Sequence, residues 1–225
     1  MIWVFTYNIY LFLYMAEKKE TSRLESFSDG VFAIAITLLI LEIKVPPSGT
    51  VHSVNDLWMQ LFNLWPSYVA FVYSFGTILI IWQNHHRVFS MINKFSTRFM
   101  YANGILLLTV TFIPFPTALL AQYIATEYSK PAIVFFCFSS VLNNLAFVFW
   151  SVSLVKPKRL FNPTIDTKQI AASTKSTWFG LLIYTLTTIL AFWLPVIALL
   201  INCSLWFLWI GLSLKNYSIE GHRRV

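Results

Sequence analysis

Long apolar stretches recur along the chain and are cut by short clusters of charge, polar residues and proline. Cutting at these breaks gives six segments that are long enough to cross the hydrocarbon core of a bilayer. They cover residues 27–45, 57–89, 99–123, 132–155, 178–194 and 196–214. The pattern therefore predicts an all-α integral membrane protein with six transmembrane helices.

Three of these segments carry finer signals. The second is unusually long, so we expect one helix whose ends project beyond the hydrocarbon. The third contains IPFPTALLA, in which Pro114 and Pro116 favour a kink. Only Pro195 and its immediate neighbours separate the last two segments, which predicts a tight antiparallel hairpin.

The same pattern divides the chain into three parts. Residues 1–22 are expected to be a cytoplasmic or interfacial N-terminal segment, because their 14 opening apolar residues are too few to span and lead into the charged run EKKE. No small-residue cleavage pattern follows, so a signal peptide is not predicted. Residues 23–215 form the six-helix domain, and residues 216–225 form a cytoplasmic tail.

The basic residues fit one orientation of six helices. With the amino end inside, 14 of the 16 lysines and arginines lie on the cytoplasmic side, and only Lys44 and Lys130 lie outside. Basic residues concentrate in cytoplasmic loops. We therefore expect a multi-pass protein of the cell membrane with both termini in the cytoplasm.

Composition excludes several classes of protein. The 225 residues are 57% hydrophobic and 11% charged, which leaves too few polar groups to cover a water-soluble globule. The net charge of +7 then reports orientation, and no nucleic-acid partner is expected. Cys137 and Cys203 lie inside apolar segments and imply no disulfide framework. No nucleophile elbow, phosphate loop or paired carboxylates are found, so we expect no catalytic residues and no enzyme.

An apolar stripe runs along the first segment. At about 100° per residue, Ile34, Leu38 and Leu41 fall within roughly 60° of one another, and Thr37 lies at the edge of the same stripe. The stripe is either a surface for lipid and helix packing or the wall of a pore that closes by expelling water. Periodicity alone does not separate these two interpretations.

Polar residues mark one end of the first two segments. Asp29 stands near the start of the first, and a carboxylate at the edge of a span requires a partner. The second ends in WQNHHRVF, where Trp82 and His86 share a face with Phe89 and His85 is a near neighbour. The histidines are either partners of the carboxylate or merely solvated, or hydrogen-bonded to a loop carbonyl, at the interface. No metal site is expected, because the two rings point about 100° apart and no acid recurs at ligand spacing.

These residues also carry a family resemblance. Arg23, Phe27, Ser28 and Asp29 stand in RxxxFSDG, which continues as VFAIAITLLILEIKVP. This block resembles the signature of the transmembrane protein 175 family of potassium channels, in particular its short prokaryotic members. WQNHHRVF and IPFPTALLA extend the resemblance over most of the first half of the chain.

The resemblance implies a homotetramer in a bacterial plasma membrane, with the first helix of each subunit lining a central pore. It implies potassium ions as the permeant species and no cofactor or resident metal. The implied constriction consists of Ile34, Leu38 and Leu41, with Thr37 as a pore-facing hydroxyl. The implied polar network, which fixes the first helix against the second, consists of Arg23, Phe27, Ser28, Asp29, Trp82 and one of His85 and His86.

We therefore expect a passive channel with a modest preference for potassium over sodium, since no TVGYG-type filter loop is found. Two alternatives stay open. One is a proton- or ion-coupled secondary transporter that uses Asp29 with His85 or His86 as a relay. The other is a non-conducting membrane scaffold. No internal repeat is found, which weakens a transporter built from two inverted halves.

Overall fold

The protein is described by a computed structural model over residues 2–155 and 167–221, with side chains over 20–154 and 174–212. The described chain is all-α, as predicted. Its eight α-helices are α1 Ile2–Leu38, α2 Val54–Asn63, α3 Trp65–Met91, α4 Thr97–Phe112, α5 Pro114–Tyr123, α6 Ser129–Val155, α7 Thr167–Leu190 and α8 Pro195–Gly221. Short 3₁₀ turns at Leu39–Glu42 and Ser48–Thr50 follow α1.

Five described segments are long and apolar enough to cross a membrane. They are Glu20–Glu42, Trp65–Met91, Thr97–Tyr123, Ser129–Leu154 and Pro195–Leu212. The multi-pass membrane architecture is therefore confirmed. Helix α7 corresponds to the remaining predicted segment and is not among the five. The basic clusters at 156–159 and 223–224, which the charge pattern assigned to the cytoplasm, lie outside the described residues.

The prediction of one long helix over residues 57–89 is wrong. The chain forms two helices there, α2 and α3, which are separated only by Leu64. Pro66 is the second residue of α3 and has no N–H with which to continue the hydrogen bonding of α2. The membrane-spanning part of this region consequently begins at Trp65.

The two other local predictions are confirmed. The third segment breaks at Ile113, where α4 ends and the proline-led α5 begins. The second half, α5, is joined to α3, because the hydroxyls of Thr117 and Ser74 lie 2.6 Å apart in a buried hydrogen bond. Helices α7 and α8 form the expected hairpin, whose turn is closed by the N–H of Trp193 donating to the carbonyl of Leu190 at 3.0 Å.

One face of α1 is packed into the bundle. Phe32, Ala35 and Leu39 are almost completely buried there and belong to a core formed with α3, α4 and α6. Trp150 of α6 and Phe99 of α4 are the largest fully buried side chains of this core beside Phe32. Because residues 32, 35 and 39 recur at helical spacing, this packing sets the rotation of α1 about its own axis.

Candidate functional site

The aliphatic stripe of α1 is exposed on the surface of the single chain. Ile34, Leu38 and Leu41 have 59%, 46% and 60% of their surface exposed, whereas Leu39, which lies between the last two, has 1% exposed. The stripe and the packed face are therefore distinct sides of α1. All three residues that sequence periodicity grouped are exposed, so they are free to meet a surface outside the chain.

The end of α1 changes geometry without breaking the stripe. The α-helix ends at Leu38, and residues 39–42 continue as a 3₁₀ turn, so the α-helical spacing assumed for Leu41 does not apply. In a 3₁₀ helix the side chains of residues three apart eclipse one another. Leu41 is thereby stacked over Leu38 along the helix axis. Lys44 Nζ donates to the carbonyl of Leu41 at 2.7 Å, which satisfies one of the open carbonyls at this end.

Thr37 adds a hydroxyl to the same exposed region. Its Oγ1 donates to the carbonyls of Ala33 and Ile34, each at 2.9 Å. The hydroxyl hydrogen is thus used within α1. The lone pairs of the Thr37 oxygen remain available on the exposed surface.

Asp29 has a partner on the neighbouring helix. The indole Nε1 of Trp82 donates to Asp29 Oδ1 at 2.8 Å and links α1 to α3. The His86 ring stacks on Trp82 with 5.7 Å between the ring centroids. A hydrogen bond to a charged oxygen is stronger than one between neutral groups. This contact therefore holds the polar end of α1 against α3.

A second, fully buried link passes through Asn103 of α4. The amide Oδ1 of Asn103 lies 2.8 Å from His85 Nε2, and its Nδ2 donates to Ser28 Oγ at 2.9 Å. Ser28 Oγ in turn donates to the carbonyl of Leu24 at 2.9 Å. An amide oxygen only accepts, so His85 carries its hydrogen on Nε2. The hydrogen bonds therefore run in one direction from α3 through α4 to α1.

The two histidines occupy different environments. His85 is completely buried and is enclosed by aromatic rings: its ring stacks on Phe89 at 4.5 Å and on Trp150 at 5.4 Å. His86 is exposed. The sequence grouped Phe89 with Trp82 and His86, but the structure places Phe89 beside His85, four residues earlier on the same helix face.

Glu25 joins the exposed end of this network. His86 Nδ1 lies 3.0 Å from Glu25 Oε1, and ligand atoms of Glu25, Asp29 and His86 lie within 4.8 Å of one another. No acid recurs at ligand spacing around the two histidines in the sequence, so this group was not predicted. Two carboxylates one helical turn apart with an imidazole are a donor set that holds divalent cations. In this geometry, however, His86 and Trp82 already bond the two carboxylates, and a cation would have to displace those bonds.

Arg23 and Phe27 are not part of the network in the described residues. Phe27 is 64% exposed, and the exposed Arg23 makes no hydrogen bond or ion pair with Asp29 there. Arg23 precedes Asp29 by six residues, which turns the two side chains roughly 120° apart on a helix. The same count brings Arg23 and Phe27 within about 20° of Ile34. Both residues therefore lie on the stripe side of α1.

Comparisons with known proteins agree with this architecture. A family model described as the endosomal/lysosomal potassium channel TMEM175 matches residues 23–114. A potassium channel of Chamaesiphon minutus is 45% identical over 188 residues, which cover 80% of this chain and 90% of the relative. A potassium channel of Streptomyces collinus is 42% identical over 174 residues, which cover 77% of this chain and 83% of the relative.

A solved structure resembles most of this chain. The crystal structure of a lysosomal potassium-selective channel TMEM175 homolog from Chamaesiphon minutus aligns with a TM-score of 0.78 at 38% sequence identity. The alignment covers 87% of this chain and 99% of that chain. The similarity therefore extends well beyond the residues that the family model matches.

Replacing Asn103 should show how much its buried hydrogen bonds contribute to the stability of the protein. In Asn103→Leu the Nε2–H of His85 loses its acceptor, and leaving such a buried group unpaired costs about 1–3 kcal/mol. We expect a clear fall in the apparent Tm of the purified protein. Asn143→Leu is the matched control, because Asn143 makes a long bond of 3.4 Å to Thr109 and is only half-buried. Equal falls in Tm for the two variants would contradict the role given to Asn103.

Proposed function

The chain belongs to the TMEM175 family and is a potassium channel, not an enzyme, and on that premise we propose that four copies assemble with α1 of each lining a central pore. The observation that carries this proposal is the exposed stripe of Ile34, Leu38 and Leu41 on a helix whose other face is packed. One subunit offers one such helix, and a single helix cannot surround an axis. Closed rotational symmetry brings copies of the stripe together.

The proposed constriction acts on the hydration of the ion. Branched aliphatic side chains offer a cation nothing in exchange for its water, and a narrow apolar ring closes a pore by dewetting. Passage then requires a wider pore or partial dehydration. Potassium gives up water more readily than sodium, so a modest preference for potassium follows. The oxygen of Thr37, the residue before Leu38, supplies a polar contact beside the apolar ring.

The polar network is proposed to orient the pore helix and not to bind the permeant ion. Asp29 is held by Trp82, and Ser28 is held by Asn103, so α1 is fixed against α3 and α4 at the same end. Arg23 and Phe27 project toward the stripe side. We assign them to contacts with neighbouring copies in the tetramer.

The membrane topology follows from adding α7 as the sixth span. An even number of spans places both termini on the same side, and the excess of lysine and arginine in the intervening loops makes that side the cytoplasm. The proposed parts are the N-terminal segment 1–22, the channel domain 23–215 and the C-terminal tail 216–225, in a bacterial plasma membrane.

A coupled transporter has less support from this geometry. A proton relay between Asp29 and a histidine requires a continuous hydrogen-bonded path. Among the described side chains, Asp29 bonds Trp82, His85 bonds Asn103, and His86 pairs with Glu25. The carboxylate and the buried imidazole thus lie in separate branches of the network.

Planar-bilayer recording of the purified protein separates a channel from a transporter and from a scaffold. We expect unitary currents whose reversal potential follows the potassium gradient. When sodium replaces potassium on one side, the reversal potential should shift less than it does when an impermeant cation replaces potassium. Saturable flux without unitary currents would favour the transporter, and the absence of any flux would favour the scaffold.

Polar substitution within the stripe tests the constriction. Leu38→Asn should raise the unitary conductance, because an amide within the apolar constriction hydrates a segment that otherwise expels water. Leu200→Asn is the control, since Leu200 is 65% exposed but lies on α8. Conductance that is unchanged in Leu38→Asn, or raised equally in both variants, would remove the stripe from the pore.

Neutralising Asp29 tests the structural role of the network. Asp29→Asn keeps the size of the side chain but weakens the bond from Trp82, because the acceptor loses its charge. We expect a lower yield of assembled channel on size-exclusion chromatography, whereas the reversal potential of the channels that do assemble stays as in the parent. Normal assembly with altered potassium-to-sodium preference would make Asp29 an ion-binding residue instead.

A further inference from the structure

Helix α2 is amphipathic along its whole length. At about 100° per residue, five of its six apolar side chains fill an arc of roughly 140°, whereas Met59 and most of the polar side chains lie on the other side. The apolar arc consists of Val54, Leu57, Trp58, Leu61 and Phe62. No residue of α2 is buried, and the rings of Trp58 and Phe62 lie side by side 6.2 Å apart with 58% and 73% of their surface exposed.

The polar side of α2 is already occupied by the loop that precedes it. Gln60 Nε2 donates to the carbonyl of Thr50 at 2.9 Å, and the Thr50 hydroxyl lies 3.2 Å from Gln60 Oε1. The N–H of His52 donates to Asp56 Oδ2 at 3.2 Å, and Ser53 caps the helix by accepting from the N–H of Asp56 at 3.1 Å. The loop therefore covers the polar side and leaves the apolar arc facing outward.

The position of α2 fixes its level relative to the bilayer. Leu64 alone separates α2 from α3, and α3 crosses the membrane from Trp65 onward. The exposed side chains at the start of α3, namely Trp65, Tyr68 and Val69, continue the apolar surface toward the hydrocarbon. Helix α2 must consequently lie at the boundary between headgroups and acyl chains, at the end of α3 opposite the polar network.

We propose that α2 is a membrane-surface helix that lies in the plane of the bilayer, with its apolar arc inserted among the lipids of the leaflet at that end. Tryptophan is enriched at this depth because its ring has both an apolar body and a polar N–H. The apolar arc is more stable among lipids than in water, and an amphipathic helix of this kind inserts its apolar face about 5–10 Å into the boundary between headgroups and acyl chains. The helix would anchor the outer end of α3 against vertical movement.

Paired spin labels on adjacent residues test this orientation. Phe62→Cys places a nitroxide on the apolar arc and Asn63→Cys places one on the polar side, both in a background with Cys137 and Cys203 replaced by alanine, in phosphatidylcholine vesicles. We expect the label at position 62 to be more accessible to oxygen than to a water-soluble nickel chelate, at a depth of about 5–10 Å. The label at position 63 should show the reverse.

Two outcomes overturn the proposal. If both labels are equally accessible to the nickel chelate, α2 projects into water; if position 62 is shielded from both reagents and shows spin–spin broadening between copies, a second subunit covers the arc. A second measurement keeps the native cysteines. Trp58→Phe should remove a fluorescence component that shallowly brominated lipids quench, and the absence of that component also overturns the proposal. Neither readout depends on ion conduction.

Discussion

The buried hydrogen-bond path from His85 through Asn103 to Ser28 determines how the rest of the structure is arranged. It joins three helices at one end of the bundle through hydrogen bonds between buried side chains. Among the described residues, only Nδ1 of His85 on this path has no hydrogen-bond partner. Any rotation of α1 by one residue would move Ser28 away from Asn103 and leave the Nδ2–H of Asn103 without its acceptor. The path therefore selects one rotation of α1, which Phe32, Ala35 and Leu39 then stabilise by apolar packing.

The direction of the aliphatic stripe is a consequence of this rotation. With residues 28, 32, 35 and 39 turned inward, Ile34, Leu38 and Leu41 are turned out of the subunit. In a membrane such side chains meet either lipid or other copies of the chain. In the proposed tetramer the outward stripe faces the central axis, while the inward hydrogen bonds hold the other face of the same helix inside its own subunit.

The sequence was most informative where a residue acts through local chemistry. Helical periodicity identified the stripe, and the prolines at 114, 116 and 195 located a kink and a hairpin. Proline 66 marked a helix boundary in the same way, but the unbroken apolar composition around it concealed the break between α2 and α3. Apolar length alone does not distinguish a spanning helix from one that lies on the surface.

The sequence was least informative where a residue acts through tertiary contacts. Asn103 lies in an apolar segment and has no motif around it; only its polarity within a span marked it as unusual. Glu25 was hidden because its partner, His86, lies on another helix. Arg23 and Asp29 share a motif, yet six intervening steps along α1 turn them to different sides. Two residues of one sequence motif therefore need not belong to the same site.

Thiol modification of cysteines placed at two adjacent leucine positions tests most directly whether this rotation of α1 creates the pore. Positions 38 and 39 are neighbours in the sequence but lie on different sides of this helical segment, Leu38 exposed and Leu39 buried. With the parent channel as the baseline for Cys137 and Cys203, a charged methanethiosulfonate reagent should change the potassium current of Leu38→Cys and leave that of Leu39→Cys unchanged. Modification of Leu39→Cys with no effect on Leu38→Cys would contradict the account.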